Sequence, residues 1–169
     1  LQRREESDLR SFLLAQEIIY VGGGNSFNML MLWKAHGVDR ILKEAWAEGI
    51  VLSGLSAGSV CWFESCLTDS FWPDLQAMKE GLGFLKGSHC PHFDGEERRR
   101  PTYTQMVKEG NLPPGIAADD GVALVFRGTD LIETVTSRPT AKAWKVDPSG
   151  TATAIEPRLL DPVPRDFPA

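Results

Sequence analysis

The chain has 169 residues, 42% of them hydrophobic and 24% charged, the size and mix of one globular domain with a real core. Its formal net charge of −5 argues against nucleic acid or an anionic membrane as a partner. No apolar run approaches the roughly 18 residues that would span a bilayer.

The chain opens at Leu1 inside what reads as an amphipathic helix, with Leu9, Phe12 and Leu13 at helical spacing and Ser7 or Asp8 as a cap over 7–15. An N-terminal piece carrying a strand or two of the sheet is therefore expected to precede Leu1. "EIIYV" (17–21) is a short β-branched run ending in three glycines and reads as a buried strand. "SFNMLMLWKAHG" (26–37) and "VDRILKEAWAEG" (38–49) read as helices stopped by Gly37 and Gly49. "IVLSGL" (50–55) is the next buried strand, and "AGSVCWFES" (57–65) the helix after it. The stretch from Cys66 to Tyr103 is rich in Gly, Pro and charge and reads as loops around a site.

Beyond it, 101–110 reads as a helix, and "GVALVF", "LIETVT", "AKAWKVD" and "TATAIEP" as closing strands. The last residues, "RLLDPVPRDFPA", form a Pro-rich tail. Strand, glycine turn and helix alternate in the first half. The expectation is an α/β fold with a mostly parallel sheet and a β-rich C-terminal end, one domain over 1–160 with a tail at 161–169. Cys61, Cys66 and Cys90 form no CxxC pair, and their odd number does not suggest a disulfide framework. They read as reduced thiols, and cytoplasmic residence is the matching expectation.

Two glycine turns carry the chemistry. "GLSAG" (54–58) sets Ser56 between glycines, after a strand and before a helix. On a sharp strand-to-helix turn a serine oxygen stands above the sheet, and the N–H of Ala57 faces an oxyanion. The competing reading is a serine that merely caps the helix. "YVGGGNSF" (20–27) has the same strand–glycine–helix form, with Asn25 after the glycines. It satisfies neither GxGxxG nor GxxxxGK[ST], so support of an oxyanion fits better than a phosphate loop.

A serine nucleophile needs a base, and the chain has only His36, His89 and His92. His36 lies at a helix end, where a cap role suffices. His89 and His92 lie in the loop-like "GSHCPHFDG", and His92, after Pro91, is the first choice. Candidate acids are Asp69, Asp94, Asp119 and Asp120. No histidine follows residue 92, so the Ser–acid–His order of ordinary α/β-hydrolases, with its histidine far downstream, is hard to build. Ser–His–Asp order, with Asp119 or Asp120 last, fits.

Together "IIYVGGGNSFNML", "GLSAGSVCWFE", "LTDSF", "GLGFLKGSHCPHFDGE" and "GIAADDGVAL" resemble the peptidase E family of serine dipeptidases, the aspartyl dipeptidases, with cyanophycinase a more distant relative. The resemblance implies a fold related to class I glutamine amidotransferases, a flavodoxin-like three-layer arrangement. It makes Ser56 the nucleophile and His92 the base. It places the acid at Asp120, with Asp119 as rival, where the family usually has glutamate. Gly24 and Ala57 would form the oxyanion hole. Asp69, Arg98 and Asn25 would bind or support substrate, the run of three arginines leaving the register at Arg98 open.

Amidotransferase chemistry through Cys61 is not expected, because it lies five residues past Ser56. The implied activity is hydrolysis of very short peptides, N-terminal Asp-Xaa above all, through an acyl-enzyme and without metal or cofactor. The expected partner is a short peptide substrate, with neither nucleic acid nor membrane, and homodimerisation is left open. Two other readings stand beside it: another serine hydrolase, cyanophycinase-like or an esterase, and a ligand-binding domain whose site has decayed.

Overall fold

A computed structural model describes residues 8–161. Ser7 as a cap and the tail beyond Asp161 lie outside the described residues. The chain falls into two compact units that meet in sequence between Lys86 and Gly87.

The first unit begins with helix α1 (Leu9–Leu14), where Asp8 caps the free N–H of Ser11 at 3.0 Å. Strand β1 (Ile18–Val21), helix α2 (Ser26–His36) and helix α3 (Val38–Ala47) follow. Gly37 takes a left-handed φ of 71° and closes α2, its N–H reaching the Lys34 and Trp33 carbonyls. That glycine, not His36, ends the helix. Strand β2 (Val51–Gly54) pairs parallel with β1, Ile18 opposite Val51 and Val21 opposite Gly54. Both strands were expected to be buried. Instead the side chains alternate, and Ile18, Tyr20 and Val51 are exposed among the described residues while Val21 turns inward.

Helix α4 (Ala57–Val60) is a single turn. The expected helix over 57–65 therefore breaks early, and from Phe63 the chain runs extended as β3 (Phe63–Thr68). β3 pairs antiparallel with β4 (Gln76–Met78), Cys66 opposite Met78. The backbone of Gly81 packs on that of Phe63 so closely that an added Cβ would lie 2.9 Å from the Phe63 carbonyl carbon. Leu30, Leu42, Ala45, Val60, Leu67 and Met78 form the core of this unit. Beside it the Trp46 and Phe84 rings stack at 5.3 Å.

Strand β5 (Leu85–Cys90) carries the chain into the second unit. Helix α5 (Arg99–Lys108) precedes strand β6 (Gly115–Ala118), which pairs parallel with β5. β7 (Val122–Arg127) and β8 (Asp130–Thr136) make an antiparallel hairpin with an irregularity at Val125/Phe126. β9 (Ala143–Val146) lies antiparallel to β6, and β10 (Ala152–Ile155) antiparallel to β9.

A final strand β11 (Arg158–Leu159), in what read as tail, adds parallel to β8. Cys90, Phe93, Tyr103, Val107, Leu112 and Ala143 are buried at the centre of this unit. The fold is α/β, but its sheets are mixed, with antiparallel pairs beside parallel ones, where a mostly parallel sheet was expected. Among the described residues no helix is long and apolar enough to cross a membrane.

Candidate active site

The ladder between β1 and β2 continues one residue past β2, the Leu55 N–H donating to the Val21 carbonyl at 3.0 Å. Helix α4 starts two residues later, with Val60 N–H already bonded to the Ser56 carbonyl at 3.0 Å. The whole reversal from strand to helix therefore falls on Ser56, whose φ of 55° and ψ of −116° belong to a region that glycine adopts freely and serine does not. Ser56 occupies the N-cap position, yet its side chain makes no capping hydrogen bond. The hydroxyl therefore does not cap the helix.

The flanking glycines have a steric reason. A Cβ on Gly54 would lie 2.5 Å from the Gly58 carbonyl carbon and 2.8 Å from the Val21 carbonyl oxygen. One on Gly58 would lie 2.6 Å from the Val21 carbonyl carbon. Real Cβ atoms do not approach so near, so strand, turn and helix close on each other only with glycine at both positions.

The second glycine turn runs beside the first. A Cβ on Gly23 would meet Ser56 Cβ at 3.5 Å and its Oγ at 3.9 Å. Gly24 has a φ of 147°, and a Cβ there would point into open space. Among the described residues, neither the Gly24 nor the Ala57 N–H donates to a protein acceptor.

Asn25 is engaged within the protein. Its Oδ1 accepts from Asn28 N–H at 2.9 Å, capping α2, and its Nδ2 donates to the Ser70 carbonyl at 2.9 Å. Ser70 Oγ in turn accepts from Phe27 N–H at 3.2 Å. Asn25 therefore anchors the glycine turn to the segment after β3, a positioning role where the sequence suggested substrate contact. Asp69 is exposed in that same segment. Cys61 is fully buried against the Gly58 carbonyl, and burial pushes its thiol up, away from thiolate chemistry.

The second unit holds a histidine–carboxylate pair. His92 also has a left-handed φ, 56°, and its Nδ1 lies 2.6 Å from Asp120 Oδ1. A carboxylate only accepts, so Nδ1 carries the proton of this bond; in the neutral imidazole that leaves the lone pair on Nε2, the tautomer a general base uses. The partners are 23% and 45% exposed. Gly95 makes room for this carboxylate: a Cβ there would overlap Asp120 Oδ2 and lie 3.0 Å from Cγ.

Asp119, the rival acid, is buried and committed elsewhere. Its Oδ2 accepts from Lys142 N–H at 2.8 Å and its Oδ1 from Trp144 Nε1–H at 3.0 Å. His89 is buried too, its Nδ1 bonded to the Ile116 carbonyl at 2.8 Å. Burial first, with the nearby His92 and Arg99 charges, brings its pKa down to about 4.

In the arginine run, Arg98 is exposed before α5. Arg99 is buried and paired with Glu96 at 2.6 Å, and Arg100 lies 4.0 Å over the Trp144 ring. Sequence reasoning missed Gly95 and Arg138 and took Asp94 only for a rival acid. Asp94 Oδ1 accepts the Asp120 N–H at 2.7 Å, and Arg138 Nη1 donates to the Asp120 carbonyl at 2.9 Å.

The family model for Peptidase family S51 matches residues 1–134. The chain is also 54% identical over 140 residues to an uncharacterized peptidase, YgaJ, of Bacillus subtilis (strain 168). That match covers 83% of this chain but 60% of the relative's length.

Proposed function

The chain belongs to peptidase family S51, and on that premise we propose that it is a serine-type peptidase acting on very short peptides, dipeptides with N-terminal aspartate first among them. The observation that carries the reading is the backbone of Ser56, strained and uncapped between two sterically required glycines. The His92–Asp120 bond supports it from the second unit.

In this reading Ser56 Oγ attacks the carbonyl carbon of the peptide bond while His92 Nε2 takes its proton. The oxyanion is met by the N–H groups of Gly24 and Ala57, each contributing roughly 3 kcal/mol by the usual measure of such donors. The tetrahedral intermediate then collapses, the C–N bond breaks, and His92 gives the proton to the leaving amine. Water, activated by the same histidine, attacks the acyl-enzyme and releases the N-terminal fragment. Asp120 holds the imidazole in the right tautomer and balances the imidazolium.

Asp69 and Arg98 are assigned to the substrate, Arg98 as counter-charge for its acidic side chain. The three-layer, amidotransferase-like arrangement and cytoplasmic residence with Cys61, Cys66 and Cys90 reduced complete the reading. None of the three cysteines is in a disulfide, and all are buried.

A substrate panel on the full-length protein tests it. Aspartyl-anilide should be cleaved in preference to neutral aminoacyl-anilides and short-chain esters, and a serine-directed fluorophosphonate should label Ser56. Ser56→Ala and His92→Ala should each abolish cleavage with the fold intact. Wild-type turnover in Ser56→Ala would sink the mechanism.

A further inference from the structure

The Asp120 side chain is 45% accessible, against 23% for its partner His92. A carboxylate so placed keeps its aim at His92 only if the backbone that carries it is held as well. Two side chains hold it. Asp94 Oδ1 accepts the Asp120 N–H at 2.7 Å, and Arg138 Nη1 donates to the Asp120 carbonyl at 2.9 Å. The same Nη1 lies 3.0 Å from Asp94 Oδ2, so the two side chains join behind Asp120 and close a ring around one residue's amide groups.

The Arg138 stem crosses the turn at Gly121. There φ is 82°, and a Cβ would meet Arg138 Cδ at 3.0 Å. Arg138 is in turn fixed by its own N–H, which donates to Thr136 Oγ1 at 3.0 Å, and by the Ser137 N–H to Gly121 carbonyl bond at 3.1 Å.

We infer that Asp94 and Arg138 are positioning residues for the proposed hydrolysis, clamping the peptide unit of Asp120 so that its carboxylate stays on His92 Nδ1. The inference rests on the peptidase reading for its kinetic consequence but on the geometry of the second unit for its structural one. Their side chains are 31% and 46% exposed, and an ion pair in that much water contributes little to stability. Its worth lies in direction. Both hydrogen-bonding groups of the Asp120 backbone are pinned, and the only freedom left is the side chain, which Gly95 admits on one side and His92 holds on the other.

The experiment uses the full-length protein with Asp94→Ala, Asp94→Asn, Arg138→Ala and Arg138→Lys. It measures kcat and KM on aspartyl-anilide, the thermal midpoint, and the far-downfield proton resonance of His92 Nδ1, assigned by its loss in His92→Ala. Misplacing a catalytic group by about 1 Å costs on the order of 10²-fold in rate. Asp94→Ala and Arg138→Ala should lower kcat by about that factor, leave KM within about two-fold, and broaden or abolish the resonance. Asp94→Asn keeps an acceptor for the Asp120 N–H, and Arg138→Lys keeps a donor. Each should restore most of kcat and the resonance, so a poorly folding alanine variant does not decide the outcome.

A KM that rises while kcat holds would overturn the clamp and make Arg138 a substrate contact. An unchanged kcat and resonance in all four variants would overturn it outright. If the wild type cleaves no peptide, the peptidase reading fails by itself. The resonance still decides the clamp, its persistence in Asp94→Ala and Arg138→Ala overturning it and its loss supporting it.

Discussion

Gly95→Ala puts one methyl group against the proposed catalytic acid. The Gly95 φ lies outside the left-handed region that disfavours a side chain. The added Cβ would stand 3.0 Å from Asp120 Cγ and overlap Oδ2, where ordinary contact begins at 3.4 Å. Oδ2 must therefore retreat by on the order of 1 Å. The carboxylate is rigid and planar, and its other oxygen is only 2.6 Å from His92 Nδ1. Turning Oδ2 away swings Oδ1 as well, toward distances at which a hydrogen bond no longer forms.

The expected loss in kcat lies between about 10²-fold for a displaced group and about 10⁴-fold for a triad whose histidine has lost its orienting carboxylate. Stability should hardly move, because a compatible Gly→Ala exchange gains about 0.4–1 kcal/mol through the unfolded chain, which offsets part of the strain. The assay is aspartyl-anilide hydrolysis beside a thermal melt on the same preparation. Wild-type kcat with the His92 Nδ1 proton still far downfield would show that Asp120 tolerates the methyl and that Gly95 is not reserved for it.

Two further outcomes follow from neighbouring groups. Asp120→Asn should cost about 10⁴-fold in kcat with little change in melting. Asp119→Asn turns an amide N–H₂ onto Lys142 N–H or Trp144 Nε1–H and should destabilise by about 1–3 kcal/mol while turnover per folded molecule persists. The reverse pattern in the paired kinetics and melts would reassign the acid.

His89 gives a pH signature in stability. Burial lowers its pKa from 6.5 to about 4, so between these values the unfolded chain binds a proton that the folded one refuses. Its contribution is present in full above pH 6.5 and lost as pH falls toward about 4. The amount is on the order of 3 kcal/mol. Urea unfolding across that window should show the loss in the wild type, and His89→Gln should lack this component; equal slopes would refute it.

The turn at Ser56 was legible because its requirements are local. A strand must end, one residue must reverse the chain, and glycines must flank it, all within "GLSAG". The helix predicted through residue 65 shows where locality stops. "WFES" suits helix or strand by composition, and the close approach of Gly81 to Phe63, eighteen residues on, accompanies the strand that forms. β5 was hidden for a related reason, since Gly87 at φ 83°, Lys86, Ser88 and His89 carry no strand pattern. The parallel bias rested on the alternation of the first half, and the antiparallel partners β9 and β10 lie far along the chain.

At the site, Asp120 was favoured over Asp119 from chain order and resemblance, while the His92–Asp120 bond and the engagement of Asp119 by Lys142 and Trp144 depend on where each carboxylate points. Asp94 and Arg138 reach Asp120 across 26 and 18 residues, from loops with no motif of their own.

The backbone at Ser56 also bears on whether the site is alive. Folding alone would favour glycine at a φ of 55° and ψ of −116°, where a side chain adds strain of about 1–3 kcal/mol. Gly54 and Gly58 are held in place by packing, and drift at either would break the turn whether or not the protein catalyses anything. Position 56 is different: among the described residues its side-chain oxygen makes no capping hydrogen bond, and exchange to glycine would relax the chain. A domain that had given up catalysis would be under pressure to take that exchange. On the proposed mechanism, the strain at this serine is carried for the reactivity of one hydroxyl group.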